Sequence, residues 1–262
     1  MDKICVITGG SSGIGKACAE KFSQNGWKVY ELSRSGADFD GVKHITADVS
    51  KFETVESAIG QIYNETGKID LLINNAGFGI SGAAEYTKTE DAEKQFKVNF
   101  FGTFNGMKAV VPYMRKAGGG KIINVSSVAA IMPIPFQSFY SASKSAINSL
   151  TMSFANEVRD FNVKVCAVMP GDVKTGFTGA RQKFEDCDAY GDRVQKSVAV
   201  MEKDEMGGAA PESIAEKIYK ISLKKNPAPI YTLGGKYKFF KFLGDVLPQP
   251  LVNKILYMMY AK

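Results

Sequence analysis

The sequence predicts an α/β fold: a doubly wound, seven-stranded parallel sheet with helices on both faces. Three observations lead there. Short apolar runs alternate with longer helical patterns from the N-terminus onward. Several of those runs are continuously apolar, as strands covered on both faces must be. The first run passes directly into a glycine-rich turn that opens a helix. With 262 residues, 45% of them hydrophobic, the chain can bury one large core. It shows no internal repeat and no linker, so residues 1–262 read as a single domain.

The strands are expected at residues 4–8, 28–33, 44–47, 71–74, 121–126, 164–169 and 229–233. Helical patterns fill the gaps at 13–25, 52–66, 89–116, 138–161 and 211–224. Such a βαβ series, with right-handed crossovers, winds a sheet in both directions. Gly118-Gly119-Gly120 and Gly207-Gly208-Ala209-Ala210 read as turns or joints.

Composition excludes several classes of function. The net charge of +6 is modest, and no dense Lys/Arg block suggests nucleic-acid binding. The cysteines Cys5, Cys18, Cys166 and Cys187 have no metal-ligand spacing, and no metal is expected. Three lie in segments that read as buried, so free thiols in a reducing, cytoplasmic setting are expected. His44 is the only histidine and precedes a short apolar strand, which suits a structural or surface role better than a Ser-His-Asp triad. Met1-Asp2-Lys3 leads straight into the first strand, so no secretory signal is expected, and no run approaches the roughly 20 apolar residues of a membrane span.

The turn Thr8-Gly9-Gly10-Ser11-Ser12-Gly13-Ile14-Gly15 stands between the first strand and a helix. Glycines there let the backbone approach a pyrophosphate, and the helix N-terminus offers free N–H groups and a positive dipole. At the tip of the second strand an acid would bind the ribose hydroxyls of NAD. Ser33 stands there instead, followed by Arg34, a planar cation suited to a 2′-phosphate. NADP(H) is therefore the expected cofactor.

Tyr140 and Lys144 are four residues apart, on one face of a helix. A phenol has a reference pKa of about 10. An ammonium one turn away is expected to lower it and make Tyr140 a proton donor and acceptor. Ser126 and Ser127 lie upstream, and a hydroxyl there could hold the substrate oxygen.

These residues together resemble the short-chain dehydrogenase/reductase family, a Rossmann fold, over about residues 1–235. The nucleotide fingerprint matches at Gly9, Ser11, Ser12, Gly13, Ile14 and Gly15. The adenine-binding acid matches at Asp48-Val49, and the segment supporting the adenine-side ribose at Asn74-Asn75-Ala76-Gly77. The helix asparagine matches at Asn99, the serine strand at Asn124-Val125-Ser126-Ser127, and the nicotinamide loop at Pro170-Gly171-Asp172-Val173-Lys174-Thr175. The resemblance implies catalytic Asn99, Ser127, Tyr140 and Lys144. It places the serine thirteen residues before the tyrosine, which selects Ser127 over Ser126. It implies that Pro170, Gly171, Val173 and Thr175 contact the nicotinamide end, that Lys144 bonds its ribose, and that Asn99 holds a water in a proton path.

The segments that would cover the nicotinamide carry Phe78, Met132, Ile134, Pro135, Phe136, Met169 and Phe177, about half of them expected in the core. An apolar secondary alcohol or ketone fits: a hydroxysteroid, a long-chain ketone or a lipid-like alcohol. Residues 176–208 match the family's substrate lid, with Gly176, Gly179, Gly207 and Gly208 as possible hinges. The alternatives are a 3-oxoacyl-thioester reductase, whose carrier would need a basic patch such as Arg181, Lys183 and Arg193, and a non-catalytic NADP(H)-binding sensor. A homodimer or homotetramer is the family expectation. Residues 236–262 combine basic and aromatic residues, and Pro248 and Pro250 limit them to two short helices. Packing over the pocket or against a second subunit is expected ahead of membrane contact.

Overall fold

The computed structural model describes residues 2–184 and 188–262. In chain order the strands are β1 (Lys3–Thr8), β2 (Trp27–Ser33), β3 (Val42–Thr46), β4 (Leu71–Asn74), β5 (Ile80–Gly82), β6 (Gly120–Val125), β7 (Val163–Met169), β8 (Gln182–Phe184) and β9 (Ile230–Thr232). The helices are α1 (Gly13–Gln24), α2 (Phe52–Thr66), α3 (Thr89–Phe96), α4 (Gly102–Lys116), α5 (Ser138–Glu157), α6 (Phe177–Ala180), α7 (Arg193–Met206), α8 (Pro211–Ser222), α9 (Gly235–Val246) and α10 (Gln249–Tyr260).

Seven strands form one parallel sheet in the order β3-β2-β1-β4-β6-β7-β9. The order reverses between β1 and β4, which opens a crevice at the carboxyl ends of the strands. Register aligns those ends: Thr8 pairs with Leu32 and Asn74, and Asn74 with Asn124. Each predicted strand is present.

The period-2 alternation of side chains sorts the strands onto two cores. Ile4, Val6, Leu72 and Ile122 pack with Val55, Ile59 and Ile62 of α2 and Met107, Val110 and Met114 of α4. Cys5, Ile7, Leu71 and Ile123 pack on the other face with Cys18 and Phe22 of α1 and Ile214 and Ile218 of α8. Cys5, Cys18 and Cys166 are free and buried. Burial raises all three thiols, Cys18 and Cys166 to about 12, which makes them poor nucleophiles. Cys187 lies outside the described residues.

Two features depart from the expected pattern. The helix expected over 89–116 is α3, a π-helical turn at Lys97–Phe101, then α4. Such a turn inserts one residue and is common at functional sites. A second sheet pairs β5 with β8 in parallel; three residues each are too few for a periodic signal. Among the described residues no helix is long and apolar enough to cross a membrane.

Beneath the carboxyl ends runs a buried amide ladder. Asn74 Nδ2 donates to Asn124 Oδ1 at 2.9 Å, and Asn124 Nδ2 donates to Thr151 Oγ1 at 2.9 Å. Gly106 of α4 lies so close that a Cβ there would fall inside the Asn74 amide. Gly106→Ala gains about 1 kcal/mol of helix propensity but faces about 1–3 kcal/mol of overpacking. A net loss of stability is expected, read as a lower urea midpoint at unchanged slope. A midpoint at or above wild type would show that Asn74 can move aside.

Candidate active site

The crevice is a cavity of about 710 Å³. Of the expected cofactor-binding residues, all but Gly15 line it. Gly15 sits behind, where a Cβ would collide with the Gly9 carbonyl and the Asn75 amide, so its place is a close helix–turn approach. Gly9 and Gly13 hold φ of +65° and +53°, which glycine adopts without strain. Ser12 caps α1 with no side-chain hydrogen bond, and no acid stands in the first helical turn. The N-terminal N–H groups of α1 are thus free of a competing side-chain acceptor from this cap.

At the other end of the cradle, Ser33, Arg34 and Ser35 line the cavity, with Arg34 exposed. Glu31 is fully buried. Its carboxylate pairs with His44 Nδ1 and accepts from Ser33 Oγ at 3.1 Å. His44 is accordingly structural. Burial alone would raise the Asp48 carboxyl, but hydrogen bonds from the Ser50 hydroxyl and amide, with the nearby Arg34 charge, hold it below its ordinary value.

Helix α5 and strand β6 bring Ser127, Tyr140 and Lys144 to the same cavity. Lys144 is 5% exposed, and its Nζ donates to the Val125 carbonyl at 2.9 Å. Both neighbouring serines line the cavity, but they differ in burial and bonding. Ser126 is buried and donates to the Lys144 carbonyl at 3.0 Å. Ser127 is half-buried; its Oγ accepts from Ala129 N at 3.1 Å and is hydrogen-bonded to Tyr140.

Electrostatics here differ from the expectation that Lys144 lowers the tyrosine. Burial pushes the Tyr140 hydroxyl up to about 12; the Ser127 hydrogen bond and Arg181 pull it down, while Glu205 adds to the rise. Lys144 is itself lowered to about 8 by burial. Its ammonium is turned to Val125 and lies 5.7 Å from the Tyr140 ring centroid. Desolvation outweighs the one-turn coupling.

Asn99 does not line the cavity. It is fully buried in the π turn, and its Oδ1 accepts from Phe78 N at 3.0 Å. Its Nδ2 donates to the Phe78 carbonyl at 3.0 Å and to Ser143 Oγ at 3.1 Å. Of the seven apolar residues singled out, Phe78, Ile134 and Phe177 line the cavity. Phe177 packs on Tyr140 with ring centroids 5.6 Å apart. Phe136 and Met169 are core.

The expected basic patch is not formed, because each member is engaged. Arg181 is 5% exposed and paired with Glu205. Lys183 pairs with Glu202 at 2.5 Å, and Arg193 Nε donates to the Ala261 carbonyl at 2.8 Å. Gly208 is no free joint either, since the chain beside it is clamped by Ala209 N donating to Asp172 O and Lys174 N to Ala209 O, both at 3.0 Å.

Three residues of the site escape sequence reasoning: Gln137, Glu205 and Tyr237. Gln137 and Glu205 line the cavity. Tyr237 of α9 donates to Asp172 Oδ2 at 2.5 Å, accepts from Asp172 N at 2.9 Å, and lays its ring where a Cβ on Gly171 would sit. Helix α10 packs Tyr260 and Ala261 against Val194, Val198 and Met201 of α7. The C-terminal helices therefore cover the Pro170–Thr175 loop and α7, and leave Phe239, Phe242 and Val246 exposed outward.

The sheet order, the glycine turn at the switch point and the cavity above it define a Rossmann-type dinucleotide-binding protein. The short chain dehydrogenase family pattern matches residues 3–186. The 3-ketodihydrosphingosine reductase of Bacteroides thetaiotaomicron is 45% identical over 265 residues, 99% of this chain and 98% of that one. An NADPH-dependent 3-dehydrocapnine reductase of Ornithobacterium rhinotracheale is 28% identical over 273 residues, 97% and 96% of the two chains. The crystal structure of a short-chain dehydrogenase from Streptomyces avermitilis superposes with a TM-score of 0.85 at 28% identity, covering 98% of this chain and 95% of that one. This chain belongs to the short-chain dehydrogenase family of NAD(P)-binding oxidoreductases that act on CH–OH groups.

Tyr237→Phe deletes the hydroxyl bridging α9 to the Pro170–Thr175 loop. The expected result is NAD(P)H affinity several-fold weaker by fluorescence titration, with the melting temperature lowered by only a few degrees, as for about 1 kcal/mol. Unchanged affinity would show that the loop holds its shape without the bridge.

Proposed function

We propose that this chain is an NADP(H)-dependent reductase of a long-chain 2-amino-3-ketone, the chemical class of 3-ketodihydrosphingosine. The observation that carries this reading is the 45% identity to the Bacteroides reductase across nearly the whole of both chains. The apolar cavity wall of Phe78, Ile134 and Phe177 supports an aliphatic substrate.

The residues present fit the cofactor. The uncapped N-terminus of α1, with no acid in its first turn, suits a pyrophosphate. Arg34 suits a 2′-phosphate, and Glu31, the acid of the strand that leads to it, is buried and committed to His44 and Ser33. Pro170, Gly171, Val173 and Thr175 would hold the nicotinamide end, and Asp48 and Val49 the adenine. NADP(H) supplies the hydride when bound.

The protein's part is proton delivery and orientation. Tyr140 gives its proton to the carbonyl oxygen in reduction and takes it back in oxidation. Ser127, hydrogen-bonded to Tyr140, orients that oxygen and stabilises its developing charge. Lys144 in its charged form favours the phenolate left behind. Asn99 has its side-chain amide committed to Phe78 and Ser143, and its main-chain carbonyl accepts from Thr103 Oγ1 at 2.8 Å, so a relay water would use that carbonyl's remaining lone pair. Residues 176–208 act as the substrate lid over a single catalytic domain. Phe101 and Met152, exposed on the helical face, suit a homodimer or homotetramer.

NADPH absorbance should fall on addition of 3-ketodihydrosphingosine, with NADH a poor substitute. Tyr140→Phe should abolish that turnover, by at least about 100-fold, and leave NADPH binding near wild type. Substantial residual turnover would remove Tyr140 from the mechanism.

The buried Lys144 sets a pH limit. It carries its proton below about pH 8 and loses it above. Reduction leaves a phenolate that the ammonium favours, so kcat/KM for the ketone should fall as pH rises through about 8. A level profile across that range would assign the proton path to another group.

A further inference from the structure

The cavity wall beside Tyr140 is apolar at Phe78, Ile134 and Phe177, yet Glu205 and Gln137 break it. Glu205 stands near the end of α7 with its side chain 14% exposed. One carboxylate oxygen pairs with Arg181, whose side chain is fully buried, and the other accepts from Thr178 Oγ1 at 2.6 Å. In the amide orientation that satisfies both partners, Gln137 accepts from Arg181 Nε at 3.2 Å and Nη2 at 3.1 Å. The result is a braced carboxylate on the wall of the reaction chamber.

A plain latch between α6 and α7 explains little of this arrangement. Replacing a buried ion pair by apolar residues is often neutral or stabilising. Here the carboxylate also carries a catalytic cost. Its charge reaches Tyr140 and makes the phenol harder to ionise. It equally opposes negative charge developing on a substrate oxygen. Arg181 offsets part of that repulsion, as it does at Tyr140, and a wholly apolar ketone, such as a steroid, adds nothing further. A substrate bearing a cation next to its carbonyl does.

We propose that Glu205, braced by Arg181, Thr178 and Gln137, forms a subsite for an ammonium group on the carbon adjacent to the reacting ketone. The inference rests on the reading of the substrate as a 2-amino-3-ketone and assigns the residue that recognises the amine. A charge-assisted hydrogen bond of this kind is worth about ten- to a hundredfold in discrimination.

The test compares kcat/KM, with NADPH, for 3-ketodihydrosphingosine and for the same chain lacking the 2-amino group. Wild type should prefer the amine by that factor. The preference should collapse towards one in Glu205→Gln and persist in part in Glu205→Asp. Because Glu205→Gln leaves Arg181 unpaired, the charge-balanced double variant Arg181→Gln/Glu205→Gln is measured beside it and should lose the preference too. Equal wild-type efficiency on the two ketones, or a preference that survives both neutral variants, overturns the subsite alone. Turnover of neither ketone by wild type overturns the long-chain amino-ketone reading, and the subsite with it.

Discussion

Burial of Lys144 between β6 and α5 is the constraint on which the rest of the site depends. Its Nζ reaches the Val125 carbonyl and its own carbonyl accepts from Ser126, so the lysine ties the helix to the strand at both ends. That tie fixes how Tyr140, one turn earlier, stands over the end of β6. It also separates the two serines that line the cavity: Ser126 is buried with its hydroxyl bonded to the Lys144 carbonyl, while Ser127 is half-buried. Desolvation of the ammonium, which brings it to about 8, is the cost of burying a cation one turn from Tyr140.

Much of this was legible in the sequence because it is local. The glycine turn follows its strand directly, Tyr140 and Lys144 share a helical face, and continuous apolar runs mark a sheet covered on both sides. What escaped is set by tertiary approach. Asn99 reads as a helix residue, but it sits in a π turn with both ends of its amide bonded to the Phe78 backbone, a contact distant in sequence. Glu205 reads as one more polar residue on the solvent side of α7 until Arg181 is buried against it. Tyr237 sits in a basic and aromatic run, and only the nearness of Gly171 shows why a flat ring belongs there. The expected coupling between Tyr140 and Lys144 failed for a related reason: spacing on a helix gives proximity but not dielectric, and burial outweighs the charge.

Residues of the Pro170–Thr175 loop line the cavity together with the glycine turn and Tyr140. Three elements grip it: β6 through Val128 N donating to the Pro170 carbonyl just beyond the strand, α9 through Tyr237 on Asp172, and the start of α8 through Ala209. Helix α10 in turn packs on α7, which carries Glu205. The C-terminal helices thus connect the Pro170–Thr175 loop to the helix bearing Glu205. A long aliphatic chain needs only a greasy wall, which many sequences supply. Discrimination among long-chain ketones has to come from the few polar atoms near the carbonyl, because an unpaired polar partner costs more than a lost methylene contact. Glu205 is one such polar group, on the wall of the same cavity as Tyr140, and the helix that carries it is packed by the far end of the chain.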